Sequence, residues 1–160
     1  MPTPTAEQTI RTLEITKDVE ISAPIEIVFE TLLEHLGPLH ETGPDSPLPM
    51  KLEPWPGGRW YRDLGNNTGH FWGHVQVIKP PKLLEICGPV FMSFPAISHL
   101  QYRLTTEGEV TRLRLVHGAM GQIPPDWLES IDKGMEPWSH TLARVREVAE
   151  RRKGATDGHR

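Results

Sequence analysis

The sequence predicts an α+β fold in which an antiparallel sheet of about six or seven strands packs against a long C-terminal helix. Near the N-terminus, within residues 13–36, an alternating strand runs straight into a helix. A series of short strands then follows, and one final helix with an apolar stripe comes last. Strands and helices segregated in this way are typical of α+β proteins. This order of elements restricts the fold sharply, but it indicates no reaction.

A change in apolar spacing defines the first strand and the first helix. Residues 13–21 alternate between apolar and polar side chains, which is the pattern of a strand with one buried face. The segment Ser22-Ala23-Pro24 ends the strand, and proline suits the first position of a helix. We therefore expect a helix from Pro24 to about Leu36. Its apolar residues recur at helical spacing, at Val28, Phe29, Leu32, Leu33 and Leu36.

Turn residues divide the middle of the chain into short strands. A proline-rich segment at 43–49 is expected to be a loop, and a run of glycine and asparagine at 65–69 predicts a hairpin turn. A second hairpin is expected at Glu107-Gly108-Glu109. Strands at this short spacing favour an antiparallel sheet. We expect them at 50–53, 59–64, 70–78 and 83–87, and around 99–104 and 112–117.

The last two of these strands have clear faces. Leu100, Tyr102 and Leu104 share one face of their strand, and Leu113, Leu115 and His117 share one face of the next. Strand 70–78 has no clear inward face, because apolar residues fall on both sides of it. Phe71, Val75 and Val77 oppose Trp72, His74 and Ile78.

A stripe of apolar residues at spacings of three and four predicts the final helix. Pro137 falls inside this stripe, and proline removes a helical hydrogen bond and clashes with the preceding turn. We therefore expect a kink, or a short helix joined to a longer one. The whole pattern predicts one domain at 11–152, with flexible tails at 1–10 and 153–160. The stripe consists of Ile131, Met135, Trp138, Leu142, Val145 and Ala149.

Composition argues against several classes of protein. The net charge of −4 and the interspersed charges argue against a nucleic-acid partner, which usually requires a basic face. No segment approaches the ~20 apolar residues that a membrane span needs. The single cysteine, Cys87, cannot form an internal disulfide, and the first residues do not resemble a signal peptide. We therefore expect a cytoplasmic protein without a nucleic-acid or membrane partner.

Several short segments, in this order and spacing, resemble the START-like, or SRPBCC, superfamily. Within it they are most similar to the family named after the activator of the heat-shock protein 90 ATPase. One departure is Met135, at a position where members often carry tryptophan. The segments are Ile21-Ser22-Ala23-Pro24 with Val28-Phe29, Gly57-Gly58-Arg59-Trp60, Gly73-His74-Val75 with Pro80-Pro81-Lys82-Leu83, Thr111 to His117, and Lys133-Gly134-Met135.

This resemblance implies the helix-grip fold, in which a curved antiparallel sheet wraps around the long C-terminal helix. It also implies an apolar cavity between the sheet and that helix, gated by short helices and loops. The eukaryotic co-chaperones of the family have a separate N-terminal domain that binds their partner, and this chain has no room for it. We therefore expect no stimulation of a chaperone ATPase by this chain alone.

The histidines do not predict a metal site. His70 and His74 lie on one face of a predicted strand, but four residues of strand place them roughly 13 Å apart. His117 is the best polar candidate, because it continues the inward face of Leu113 and Leu115. It could hold a polar group of a ligand or transfer a proton. The alternative is a histidine near the end of its strand whose hydrogen bonds are satisfied within the fold.

Large aromatic residues could line a pocket or simply fill the core. The apolar residues of the loop at 88–95 indicate either the mouth of a cavity or a contact between the subunits of a homodimer. No catalytic residue and no metal ligand is assigned. The candidates for lining a cavity are Trp60, Trp72, His74, Phe91, Met92, Leu100, Tyr102, Leu115, His117, Met135 and Trp138.

These observations favour a protein that binds an apolar or amphipathic small molecule between the sheet and the C-terminal helix, without a cofactor. One alternative is an enzyme of the cyclase, dehydrase or hydrolase type. In that case His117 would carry the proton, with His74 or Tyr102 beside it. Another alternative is a protein-interaction module like the chaperone-ATPase activators, which would need a large exposed apolar patch.

Overall fold

A computed structural model describes residues 9–157 of the chain, and it confirms the predicted α+β class. The described part contains nine strands and three helices. In chain order these are β1 (Arg11–Ile21), α1 (Ile25–Leu36), β2 (Glu41–Gly43), β3 (Ser46–Pro47), β4 (Lys51–Leu52), β5 (Arg59–Gly65), β6 (Thr68–Lys79), β7 (Leu83–Gly88), β8 (Ala96–Glu107), β9 (Val110–Gly121), α2 (Pro125–Asp132) and α3 (Trp138–Asp157).

Seven of the strands form one antiparallel sheet in the order β1-β9-β8-β7-β6-β5-β4. Strands β4 to β9 follow one another as neighbours, and β1 joins at the β9 edge. The strand nearest the N-terminus therefore lies beside the last strand of the chain. Helices α1 and α3 pack on each other, and α1 contacts β8 and β9 while α3 contacts β1. We call the side of the sheet that faces these helices the inner face.

The core lies between the inner face and the two long helices. Leu100, Tyr102 and Leu104 on β8 are buried, and so are Leu113 and Leu115 on β9. The inward faces predicted for these two strands are therefore confirmed. The core is completed by residues of the helices, namely Val28, Phe29, Leu32 and Leu36 from α1, and Trp138, Leu142, Val145 and Ala149 from α3.

Irregular pairing explains why β6 has no simple alternation. The register shifts between Trp60 and Tyr61 on β5, where Trp60 pairs with Gly73 and Tyr61 with Phe71. Trp72 is thus an extra residue in β6, as expected for a β-bulge. A second shift lies between Val75 and Val77, opposite β7. Because each bulge reverses the alternation, residues from both predicted faces pack on the core: Trp72, Val75 and Ile78.

The C-terminal region divides into two helices around Pro137, which is one of the two predicted arrangements. The predicted stripe is wrong at Met135, which is 72% exposed. Residues 133–137 lie outside any helix, so helical spacing does not carry across them. At its other end the helix continues past Ala149, the last residue of the predicted stripe, as far as Asp157.

Two further segments differ from expectation or fall outside the structure. The predicted loop at 43–49 contains part of the hairpin formed by β2 and β3. Most of the predicted tail at 1–10 lies outside the described residues, as do residues 158–160, whereas 153–157 belong to α3. Among the described helices, none has the length and apolar character needed to cross a membrane.

Candidate functional site

Six rings meet at one end of the inner face. We call them the aromatic cluster: Trp60 and Trp72 from the β5–β6 hairpin, Phe91 from the loop between β7 and β8, His117 from β9, Trp127 from α2 and Trp138 from α3. Neighbouring members are in edge or tilted contact, with ring centroids 5.0 Å apart for Trp60 and Trp72 and 5.6 Å apart for His117 and Trp138.

Phe91 occupies the middle of this cluster. Its ring centroid lies 5.9 Å from Trp72, 5.8 Å from Trp138 and 5.7 Å from Trp127. The imidazole of His117 is 6.3 Å away. Phe91 belongs to a loop rather than to a strand or helix, so one side chain on a connecting segment holds the rings of four other elements together.

The residue before Phe91 has a strained backbone. Val90 is 2% exposed and adopts a φ of 59°. A β-branched residue rarely occupies this left-handed region, and the cost is about 1–3 kcal/mol. The Val90 amide donates a hydrogen bond to the carbonyl oxygen of Trp72 at 2.8 Å, which holds this conformation. The loop that carries Phe91 is therefore fixed in place against a local preference for another backbone conformation.

A buried hydrogen-bond chain crosses the cluster. The indole N–H of Trp138 donates to Nδ1 of His117 at 3.0 Å, and Nε2 of His117 lies 2.8 Å from the hydroxyl of Ser98. An indole can only donate, so Nδ1 must be the acceptor. The proton of the neutral ring therefore sits on Nε2 and is donated to the oxygen of Ser98. Burial lowers the pKa of His117 to about 4, so the ring is uncharged at neutral pH.

This direction of donation decides what Ser98 and His117 can do chemically. A serine becomes a nucleophile when a histidine nitrogen accepts its proton. Here Nε2 of His117 already carries a proton and donates it, and the indole of Trp138 blocks the other nitrogen. His117 is thus arranged as a hydrogen-bond donor, while the hydroxyl hydrogen of Ser98 remains available to an acceptor.

Tyr102 presents a second unused hydroxyl on the inner face. It lies between Leu115 on β9 and Leu84 on β7, and both of these residues are fully buried. The Tyr102 side chain is itself fully buried, and its hydroxyl has no hydrogen-bond partner among the described residues. Burial raises the pKa of this hydroxyl well above its ordinary value, so it stays protonated.

An ion pair fixes the start of α3 beside the cluster. The side chain of Glu136 is 4% exposed, and it accepts the backbone N–H of Trp138 at 2.7 Å. Lys17 of β1 lies 3.3 Å from the other carboxylate oxygen. Burial alone would raise the pKa of Glu136, but hydrogen bonds from Ser139, Trp138 and Lys17 together lower it. Glu136 therefore caps α3 and positions Trp138.

Most of the predicted cavity residues do come together. Trp60, Trp72, Phe91, His117 and Trp138 are in the aromatic cluster. Three other predicted residues are buried beside members of the cluster. Leu100 pairs with His117, Leu115 lies two residues before His117 on β9, and Met92 follows Phe91 and packs with Ala119 and Ile123 in a smaller core.

Two predicted residues are not part of this site. His74 is exposed, because the bulges of β6 turn it away from the core, and its ring is in tilted contact with Phe71, with centroids 4.7 Å apart. Met135 is exposed in the segment between α2 and α3.

Three participants were not predicted. Ser98 could have been found, because it continues the period-two face of Leu100 and Tyr102. Trp127 and Glu136 lie outside the regular patterns, and only the arrangement of α2 and α3 brings them to the cluster.

The space where the sequence predicts a cavity is filled by side chains in this structure. Five surface depressions formed by the described residues lie elsewhere, and the aromatic cluster lines none of these five. One of about 670 Å³ lies between the β2–β3 hairpin and α3, and one of about 550 Å³ lies at the turn of the β5–β6 hairpin. Within residues 9–157, no three histidine, cysteine or acidic side chains are placed to hold a metal ion.

Comparisons with known proteins identify the fold. No family model and no curated protein matches the chain. The solved structures that it resembles include protein CV1439 from Chromobacterium violaceum, with a TM-score of 0.61 and 17% identity over 86% of this chain and 96% of that one. Another is Ara h 8.0201, with a TM-score of 0.61 and 10% identity over 88% and 98% of the two chains.

A third similar structure is DynU16, described as a putative protein in the dynemicin biosynthetic locus. It has a TM-score of 0.60 and 17% identity, and the match covers 88% of this chain and 48% of that protein. The chain therefore has a helix-grip α+β fold. Identities this low establish the fold alone, and they do not establish the ATPase-activator family that the sequence motifs resemble.

Proposed function

We propose that this protein binds an apolar or amphipathic small molecule on the inner face of its sheet, in the space that Phe91 fills in this structure. The observation that carries the proposal is the buried hydroxyl of Tyr102, which has no partner among the described residues. Buried polar groups are almost always hydrogen-bonded in folded proteins. A buried hydroxyl without a partner, on the same inner face as a cluster of aromatic rings, is what a site needs to orient an otherwise apolar ligand.

Entry of a ligand requires Phe91 to leave the cluster. Exposing a buried phenylalanine side chain costs about 1.5–3 kcal/mol. Phe91 is only half-buried, so its own cost lies toward the lower end of that range. Movement of the loop would also release the strain at Val90, which contributes about 1–3 kcal/mol in the opposite direction. Loss of the ring contacts of Phe91 adds about 0.5–1.5 kcal/mol, so a net opening cost of about 1 kcal/mol remains.

The enzymatic alternative has less support in the geometry. A general base should have a pKa near the working pH, but burial holds the pKa of His117 to about 4 and its ring is committed to Trp138 and Ser98. His74, the other proposed partner, is exposed on the far side of β6. The chaperone-ATPase-activator alternative rests on the sequence resemblance, and no contact in the described part of the chain favours it.

Titration with Nile red, an uncharged dye whose emission depends on polarity, tests the proposal. We expect saturable binding with emission shifted to the blue. Phe91→Ala should raise the apparent affinity, because the site no longer has to open, and an opening cost of about 1.4 kcal/mol corresponds to tenfold. Phe71→Ala is the matched control, since Phe71 is exposed on β6. Dye binding that does not saturate, or that is the same in Phe91→Ala, would contradict the proposal.

A further inference from the structure

The hydroxyl of Tyr102 is a defined anchor point within the proposed site. Its side chain is fully buried, between Leu84 and Leu115 on the neighbouring strands. A phenol can both donate and accept a hydrogen bond, and it does neither with any described residue. An acceptor on a bound molecule would satisfy this hydroxyl, whereas a hydrocarbon would leave it as it is.

Ser98 provides a second anchor on the same strand. Ser98, Leu100 and Tyr102 point to the inner face of β8, because side chains alternate along a strand. Ser98 lies at the cluster end of β8, and Tyr102 is four residues further on, roughly 13 Å along the strand. The Ser98 oxygen accepts from His117, which leaves its hydrogen for another acceptor. A molecule that replaces Phe91 and extends along the inner face of β8 would meet Ser98 first and Tyr102 further from the cluster.

The polar groups of this path carry no charge. Ser98, Tyr102 and His117 are buried and uncharged at neutral pH. The described ion pair beside Trp138 joins Lys17 to Glu136, and Glu136 is also held by the N–H of Trp138. A charged group on the ligand would therefore lose its hydration without gaining a free counter-ion, which strongly disfavours binding.

We infer that the ligand is a neutral, elongated, largely apolar molecule with a carbonyl or ether oxygen that accepts a hydrogen bond from the hydroxyl of Tyr102. This inference rests on the proposed function. It adds the chemical class of the ligand and the residue that selects it. The hydroxyl of Ser98 selects for a second oxygen nearer the aromatic cluster.

Three naphthalenes of similar shape test the selectivity: acetylnaphthalene, ethylnaphthalene and naphthoate. Each is titrated against the wild-type protein, Tyr102→Phe and the control Tyr61→Phe, with displacement of Nile red as the signal. We expect Tyr102→Phe to weaken the neutral ketone about tenfold, the worth of one buried hydrogen bond, and to leave the hydrocarbon unchanged. Tyr61→Phe should change neither, since Tyr61 is a half-buried residue of β5 outside the proposed site, with the guanidinium of Arg59 4.7 Å from the centroid of its ring.

A spectroscopic measurement separates this hydrogen bond from a general effect on the site. The carbonyl stretch of bound acetylnaphthalene should lie at lower frequency in the wild-type protein than in Tyr102→Phe. Equal losses of ketone and hydrocarbon, or no loss of either, would overturn the inference while the proposed function stands. Binding of naphthoate as tight as that of the ketone would overturn the requirement for a neutral ligand. If none of the three molecules displaced the dye, the proposed function and this inference would both be wrong.

Discussion

Replacing Tyr102 by phenylalanine should stabilise the protein in the absence of ligand. Removing the hydrogen-bonded hydroxyl of an ordinary buried tyrosine lowers the free energy of unfolding by about 1 kcal/mol. Tyr102 is different, because its hydroxyl is buried without a partner among the described residues. Leaving such a group unsatisfied costs about 1–3 kcal/mol on folding, and phenylalanine avoids this cost.

The opposing contribution of the substitution is small. Removal of one oxygen atom leaves a void of roughly 10 Å³ among Leu84, Leu115 and their neighbours, which at about 24 cal/mol per Å³ costs about 0.2 kcal/mol. The net expectation is a gain of about 1–2 kcal/mol in the free energy of unfolding. For a domain of this size, that corresponds to a rise of about 2–8 °C in Tm.

Urea unfolding followed by tryptophan fluorescence measures this difference directly. Tyr61→Phe is the control, because a substitution at this half-buried position should stay within about 0.5 kcal/mol of the wild type. A loss of 1 kcal/mol or more in Tyr102→Phe would refute the reasoning. It would show that the hydroxyl is satisfied in the free protein, for example by an internal water molecule.

Three further substitutions test the surroundings of the cluster by the same unfolding assay. Trp138→Ala should lower the free energy of unfolding by about 3–5 kcal/mol, the range for large core aromatics. Trp55→Ala is the control, since Trp55 is 55% exposed and its loss should be less than about 0.5 kcal/mol. A loss below about 1 kcal/mol in Trp138→Ala would mean that Trp138 is not a core residue. Glu136→Ala should cost about 1–2 kcal/mol through loss of the cap on α3, and an effect no larger than that of Glu109→Ala would disprove the cap. The folded pKa of His117 is about 4 against 6.5 unfolded, so its neutral form stabilises the protein above pH 6.5 and this contribution is lost as the pH falls. Between pH 7 and pH 5 the wild type should therefore lose about 2 kcal/mol more than His117→Gln, and equal losses would show that the His117 ring is not held neutral.

Regular parts of the site could be predicted from the sequence. Strands β8 and β9 are joined by the predicted hairpin at 107–109, and their pairing has no register shift from Glu107↔Val110 to Ala96↔Gly121. The pairing of Leu100 with His117 could thus be extrapolated from the turn. Period-two alternation then places Tyr102 and His117 on the inner face, as the structure confirms.

Parts that depend on irregular backbone could not be predicted. Two bulges in β6 turn Trp72 toward the core and His74 away from it. Gly73 lies beside the first bulge, and a glycine inside a strand often marks one, but it does not reveal which neighbouring side chains turn inward. Met135 fits the spacing of a helical stripe, but α2 ends before it and α3 begins after it, so it belongs to neither helix. The sequence correctly predicts a loop at Phe91, yet the position of its ring among four others depends on long-range packing rather than on local pattern.

The tautomer of His117 determines which hydrogen bonds the proposed site can offer to a ligand. Trp138 donates to His117, His117 donates to Ser98, and the hydrogen of Ser98 is left to point at whatever occupies the site. Tyr102 adds another hydroxyl with its hydrogen uncommitted. Both free groups can therefore act as donors, while the acceptor nitrogen of His117 is already used. An inner face with donors to spare favours ligands that bring acceptors, which is why a neutral ketone should be preferred over a hydrocarbon of the same shape.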